Sequence, residues 1–200
     1  MFNCGEEHWL KDPLEAALAA SGRDLAIDIG ANTGTWTVEL AKEFKRVIAV
    51  EADVRAAAMI PRLPNVDVIE KAAYSNSDGV TFHFREESVY GSILDKHPIG
   101  GGGGKDVPCV TEKSVPTVTL DEACPALPDF VKIDVEGGEV EVLRGAKARD
   151  WSFTVFLVEC HDTYDAVKAE LERLELCVSR IAHPFPGHPG HCWALGVPWE

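Results

Sequence analysis

The sequence lacks any run of apolar residues approaching twenty, so no segment reads as a transmembrane helix. It also lacks a basic start followed by an apolar core. Met1 to Leu10 carries Glu6, Glu7 and His8, which excludes a secretory signal and points to the cytosol. Positive charge is scarce: 19 Lys and Arg stand against 33 Asp and Glu, for a net charge of −14. Such a surface repels phosphate backbones and anionic lipids, so neither nucleic acid nor a membrane is expected as a partner. No Cys-x-x-Cys pair occurs. The six cysteines, at 4, 109, 124, 160, 177 and 192, stand singly, which excludes a zinc ribbon or thioredoxin-like motif and reads as reduced, mostly buried thiols.

What is present suits one globular domain over residues 1–200. Hydrophobic residues are 46% and charged residues 26% of the chain. Residues 1–24 read as an N-terminal helical segment. There Asp12-Pro13-Leu14-Glu15 supplies an N-cap, a first-turn proline and a box-closing glutamate. Compact apolar strands are expected at Leu25 to Ile29, Val47 to Val50, Val66 to Ile69, Phe130 to Ile133 and Val155 to Val158. Trp36, Leu40 and Phe44 mark one helical stripe, and Asp53 caps a helix through Ile60. Val80 to Phe84, Val115 to Leu120, Val178 to Ala182 and Trp193 to Val197 read as further extended pieces. Between residues 86 and 116 lies an insertion with five consecutive glycines, Gly100 to Gly104: a flexible loop or a lid over the substrate. Strands alternating with helices predict an α/β fold, doubly wound around a mostly parallel sheet of order 3-2-1-4-5, with an antiparallel C-terminal edge. Ligands of such sheets sit beyond the carboxyl ends of the strands.

Those ends are acidic. The five strands offer Asp28, Glu51, Glu70, Asp134 with Glu136, and Glu159. After the first comes Gly30-Ala31-Asn32-Thr33-Gly34. Its Gly-x-x-x-Gly spacing is neither the Gly-x-Gly-x-x-Gly of a dinucleotide fold nor a triphosphate-binding loop, so a ligand without phosphates fits better. Glu51 is placed to accept both hydroxyls of a ribose in charge-assisted hydrogen bonds. A cationic nucleoside such as S-adenosylmethionine suits this rim.

The order Asp28-Ile29-Gly30-Ala31-Asn32-Thr33-Gly34, Val50-Glu51, Ala72-Ala73-Tyr74-Ser75 with Asp78-Gly79, Thr119-Leu120-Asp121 and Lys132-Ile133-Asp134-Val135-Glu136-Gly137 resembles the FkbM-type methyltransferase family from Leu25 to His161. The chain departs from it at Gly138, where the family more often carries alanine. The resemblance implies a Rossmann-like class I methyltransferase fold. It also implies an S-adenosylmethionine-dependent enzyme acting on a hydroxyl of a sugar or another small molecule. Cofactor contacts are then expected at Asp28, Gly30, Ala31, Asn32, Thr33, Gly34, Glu51, Ala52, Glu70, Lys71, Ala72 and Asp134.

A hydroxyl acceptor must lose a proton, and Asp134 is the first candidate base, with Lys132 and His161 behind it. Lys132 and Asp134 share a strand face and could equally form a structural ion pair. Glu136 could touch a ligand or cap the next helix. His183, His188 and His191 beside Cys192 match no known metal-site spacing, and the rim acids show no evident pairing for Mg²⁺, so no metal is expected. Three rival readings remain: an N-methyltransferase, a non-catalytic S-adenosylmethionine-binding module, and a nicotinamide dehydrogenase. The Asn-Pro-Pro-Tyr segment of many base amino-group methylases is absent.

Overall fold

The apolar runs at 25–29, 47–50, 130–133 and 155–158 fold as strands of one sheet, because each is too short for a helix and too apolar to face water; the run at 66–69 is partly exposed and forms one edge of that sheet. The computed structural model describes residues 10–19, 21–86, 91–94, 109–182 and 191–199. Its strands are β1 Leu25–Ile29, β2 Arg46–Val50, β3 Val66–Ile69, β4 Ala72–Ala73, β5 Val80–Arg85, β6 Cys109–Val115, β7 Thr117–Val118, β8 Phe130–Ile133, β9 Val155–His161, β10 Leu176–Ala182 and β11 His191–Pro198. The helices are α1 Lys11–Ala19, α2 Thr35–Glu43, α3 Val54–Ala57, α4 Leu120–Ala123, α5 Glu139–Leu143 and α6 Tyr164–Arg173.

Seven strands form the main sheet in the order β10-β11-β9-β8-β1-β2-β3. The β3-β2-β1-β8-β9 core is parallel, and β11 runs antiparallel to both β9 and β10. This is the expected doubly wound sheet with its antiparallel edge. Alternation along β1 sends Leu25, Ile27 and Ile29 into one core layer with Leu120, Val142 and Leu143. Ala26 joins the other layer, built with Leu14, Leu18, Leu40 and Phe44 from α1, α2 and the residue after α2. Each buried Leu, Ile, Val or Phe side chain among these contributes about 1.5–3 kcal/mol.

Three local expectations change. Helix α3 ends at Ala57 and not near Ile60, because its last turn tightens into i→i+3 bonds: Met59 N–H donates to Ala56 O at 2.8 Å and Ile60 N–H to Ala57 O at 3.2 Å. The extended piece at Val115 to Leu120 stops early, because the Thr119–Glu122 capping box starts α4 at Leu120. The insertion at residues 86–116 is not all loop. Residues 109–115 form β6, which pairs antiparallel with β5. Its run Val110 to Ser114 is exposed and polar apart from Val110, so it carries no apolar alternation. Gly100 to Gly104 lie outside the described residues. No helix among the described residues is long and apolar enough to cross a membrane.

Candidate active site

The chain leaves β1 through a turn that only glycine could begin. Gly30 has φ +74°, and a Cβ placed there would stand 1.7 Å from the backbone oxygen of Asp134. Gly30 and Ala31 N–H both donate to Val50 O, at 2.9 and 3.2 Å, so the turn is held against the end of β2. Asn32 also adopts positive φ, +47°, which aims its N–H at Glu51. Glu51 Oε2 accepts that N–H at 2.8 Å, and its Oε1 accepts from Asp53 N–H at 2.7 Å. Burial pushes the Glu51 carboxyl pKa up, and the backbone N–H donors only partly offset this. Each oxygen keeps a further lone pair for a ligand hydroxyl.

Glu51 lines a cleft of about 690 Å³, its open mouth included. Of the residues expected to touch a cofactor, Gly30, Asn32, Glu51, Ala52, Lys71, Ala72 and Asp134 line it. Asp28, Ala31, Thr33, Gly34 and Glu70 do not. Asp28 is fully buried on the α2 face of the sheet, where its Oδ2 accepts from Thr37 Oγ1 at 2.6 Å. It lies one residue short of the strand end, so alternation turns it into the layer below the rim. Ala31 is buried beside Ile60, and Gly34 serves as the N-cap of α2. Glu70 lines an adjoining cleft with Phe84 and Lys113.

Phe82, Gly91 and Ile93 also line the main cleft and went unnoticed in the sequence. They arrive by tertiary pairing. His83 and Ser92 exchange backbone hydrogen bonds at 2.8 and 3.3 Å, which folds residues 91–94 onto β5. Ser92 Oγ then donates to Glu136 O at 2.6 Å. No local periodicity announces either contact.

Beside the cleft lies a network of buried charge. The register of β1 and β8 sets Asp28 opposite Lys132. The Lys132 ammonium stands 3.5 Å from Asp28 and 3.2 Å from Asp134. Burial acts to raise the Asp134 pKa, but the Lys132 and His161 charges outweigh it and hold the carboxyl below its ordinary value. His161 ends β9 and does not line the cleft. Its Nδ1 lies 2.8 Å from Glu139 Oε1 and its Nε2 3.3 Å from Glu136 Oε2. Glu139 is fully buried, and its other bonds come from Gly137 N–H at 2.7 Å and Thr163 Oγ1 at 3.0 Å. Helix α5 is capped by Gly138, so Glu136 does not cap it; Glu136 lines the cleft.

Burial acts to lower the His161 pKa, but the Glu139 hydrogen bond and the charges of Glu136, Glu139 and Asp134 raise it to about 10. The ring is therefore an imidazolium near neutral pH, with no lone pair to accept a proton. A pH dependence follows. Above the ordinary value of 6.5 and below about 10, the folded chain holds a proton that the unfolded chain has released. His161 thus stabilises the fold fully below pH 6.5, and that contribution is lost as pH rises through about 10. Within this window it tilts stability by up to about −1.4 kcal/mol per pH unit. Urea unfolding of wild type and His161→Gln at pH 7 and pH 9 tests this, since titrating groups that do not interact with His161 cancel in the comparison. The variant should lose less stability across the interval; equal losses would show that the ring is not charged.

The methyltransferase FkbM domain model matches residues 28–181. No curated protein sequence matches the chain. Among solved structures, a methyltransferase FkbM from Methylobacillus flagellatus KT superposes with a TM-score of 0.59 at 18% identity, over 86% of this chain. The chain spans only 43% of that protein's length. Precorrin-6y C5,15-methyltransferase from Geobacter metallireducens GS-15 gives 0.55 at 16% identity, over 99% of this chain and 91% of its own. SMU.1697c from Streptococcus mutans, solved in complex with SAH, gives 0.54 at 12% identity, over 93% and 96%. At these identities the structures share the Rossmann-like methyltransferase fold; the family rests on the domain match over the β1 turn, Glu51 and the β8 segment. The chain belongs to the methyltransferase FkbM domain family, whose cofactor is S-adenosylmethionine.

Proposed function

We propose that this protein transfers a methyl group from S-adenosylmethionine to a hydroxyl oxygen of a small molecule or sugar. The observation that carries this is the pairing of two carboxylates across one cleft, Glu51 after β2 and Asp134 after β8. With β1 between them, two strand spacings separate these strand ends, about 10 Å. That suits a nucleoside at one end and the reacting centre at the other.

The residues of the cleft fit the cofactor. The second lone pairs of Glu51 would accept the ribose hydroxyls. Gly30 offers a surface without a side chain, and Ala52, Lys71 and Ala72, which line the cleft with Glu51, would flank the base. When bound, the cofactor supplies a methyl group on a positively charged sulfur, already electrophilic. The protein's remaining tasks are alignment of the acceptor oxygen and removal of its proton.

Of the three base candidates, Asp134 alone lines the cleft. Lys132 is an ammonium held between two carboxylates, and His161 is held as an imidazolium. We assign both to positioning Asp134 and keeping it ionised. A carboxylate so stabilised is a weak base toward a resting alcohol. It accepts the proton only as methyl transfer makes the hydroxyl oxygen positive and its proton acidic.

Glu51→Ala should weaken S-adenosylmethionine binding by about 2–3 kcal/mol, as two charge-assisted bonds are lost. Its melting temperature should fall too, because Asn32 and Asp53 N–H lose their acceptor. Titration calorimetry on the folded variant is the check; wild-type affinity would remove Glu51 from the cofactor site. The function itself is tested by S-adenosylhomocysteine release across matched panels of hydroxyl and amine acceptors. Turnover confined to amines would overturn the O-methyl reading, and binding without turnover on either panel would favour a binding module.

The chain's net charge of −14 disfavours a nucleic acid substrate. The five described cysteines are free, as suits the reducing cytosol in which we place the protein.

A further inference from the structure

Outside the cleft, one feature of the β5–β6 hairpin has no part in the reaction above. The two strands pair in register from Val80 opposite Val115 to Phe84 opposite Thr111, and then slip by one residue, so that Arg85 faces Cys109. Val110 is the extra residue of this bulge and is 64% exposed. Strict alternation would turn Val110 to the face of Glu112 and Cys109 away from it. The bulge exchanges them and re-aims the cysteine, which is what bulges beside functional groups do.

The result is a convergence on one atom. His83 Nδ1 lies 3.9 Å from Cys109 Sγ and 3.5 Å from Glu112 Oε1. One ligand atom from each of the three residues falls within 4.8 Å of the others. Cys109 Sγ also contacts Thr111 O at 3.3 Å. The first two separations are long for hydrogen bonds but close to the edges of a zinc tetrahedron. Zinc–ligand bonds of about 2.0–2.3 Å at tetrahedral angles give edges of about 3.6 Å for S···N and about 3.3 Å for N···O. Thiolate, imidazole and carboxylate together select a borderline-soft cation over Mg²⁺ or Ca²⁺. The Glu112 side chain is 59% exposed, so a cation can enter from solvent and keep water as its fourth ligand.

We propose that His83, Cys109 and Glu112 form a zinc-class cation site that clips β5 to β6. Binding converts the Cys109 thiol to a thiolate, and its proton goes to solvent. The clip bears on the cleft without belonging to it. Phe82 precedes His83 on β5, and His83 holds Ser92 by backbone bonds, so the cation would brace the strand that carries the Phe82–Ile93 wall.

The test uses the full chain, reduced and stripped of metal, titrated with Co²⁺ as a spectroscopic stand-in for Zn²⁺. One equivalent should produce thiolate-to-cobalt charge-transfer absorption and tetrahedral d–d bands, both abolished by Zn²⁺. Cys109→Ser should remove the charge-transfer band and lower Zn²⁺ affinity by at least about a hundredfold, the upper end of what loss of even a supporting partner costs. Cys177→Ser, on β10, should leave the band intact. Glu112→Gln, at an exposed position that does not threaten the fold, should weaken Zn²⁺ at least about tenfold by the same reasoning. The proposal fails if no charge-transfer band appears, or if the band survives in folded Cys109→Ser. It fails equally if His83→Gln and Glu112→Gln bind Zn²⁺ as wild type does, which would leave a cysteine beside an ordinary cross-strand ion pair.

Discussion

Asp134→Asn should lower methyl transfer by at least about a hundredfold while S-adenosylmethionine affinity stays within a few-fold of wild type. That factor is the low end of what a positioned general base contributes. Three features of the site support the expectation. Asp134 lines the cleft, its side chain is 27% exposed, and Lys132 Nζ holds it at 3.2 Å. Asparagine preserves the shape but takes no proton at neutral pH. Lys132 keeps Asp28 as a partner, so the variant should fold. Binding, melting temperature and turnover measured on this one variant separate the possible roles. Loss of binding together with rate would assign Asp134 to the ammonium of the cofactor. Lower stability with unchanged turnover per folded molecule would leave it a structural partner of Lys132. Because Lys132 and His161 are both engaged by carboxylates, unchanged turnover would leave Glu136, which also lines the cleft, as the base, or mean that the bound hydroxyl needs none.

Gly30→Ala should destabilise the fold by at least about 3 kcal/mol, from left-handed backbone strain and overpacking together. The added Cβ would meet the Asp134 carbonyl oxygen at 1.7 Å; the backbone fixes the Cβ and the oxygen is itself backbone, so no rotamer change relieves the clash. Moving the turn would stretch the Gly30 N–H bond to Val50 O, now 2.9 Å, and disturb the approach of β1 to β8. Gly34→Ala provides the contrast. It is also left-handed, with φ +92°, but its nearest new neighbours, at 3.1 Å, are side-chain atoms of Ile60 and Pro61. It should cost less than Gly30→Ala, about 1–2 kcal/mol of backbone strain plus a small shift of Ile60 and Pro61. Urea unfolding of both variants checks the ordering. Comparable losses would mean that backbone strain dominates at both sites and the close approach to β8 yields easily.

Both predictions depend on segments that announce themselves locally. The β1 strand, its glycine turn, Glu51 at the end of β2 and the Lys132-to-Gly137 segment after β8 are each contiguous. Strand length, apolar density and glycine spacing carry their information within a few residues. The parallel sheet with its antiparallel edge follows from strand–helix alternation for the same reason. The segment Val110–Ser114 shows the opposite case: its polar face gave no strand signal, and only pairing with β5 makes it a strand.

Tertiary structure alone decided what the charged residues face. In the sequence, Asp28 stands with the other strand-end acids. The β1–β8 register and Thr37 of α2 draw it below the rim, where it helps hold Lys132. His161 looks like a free histidine at the ligand edge, until Glu139, twenty-two residues earlier in the chain, takes its Nδ1 and makes it a cation. Phe82 enters the cleft wall on a strand that pairs outside the main sheet, and Cys109 reaches His83 through a one-residue bulge. The sequence by itself determined the core strands, the glycine turn after β1 and the family. Register, strand slippage and burial decided which acids line the cleft and which meet cations, because a side chain's charge state depends on neighbours that only long-range packing brings within a few ångströms.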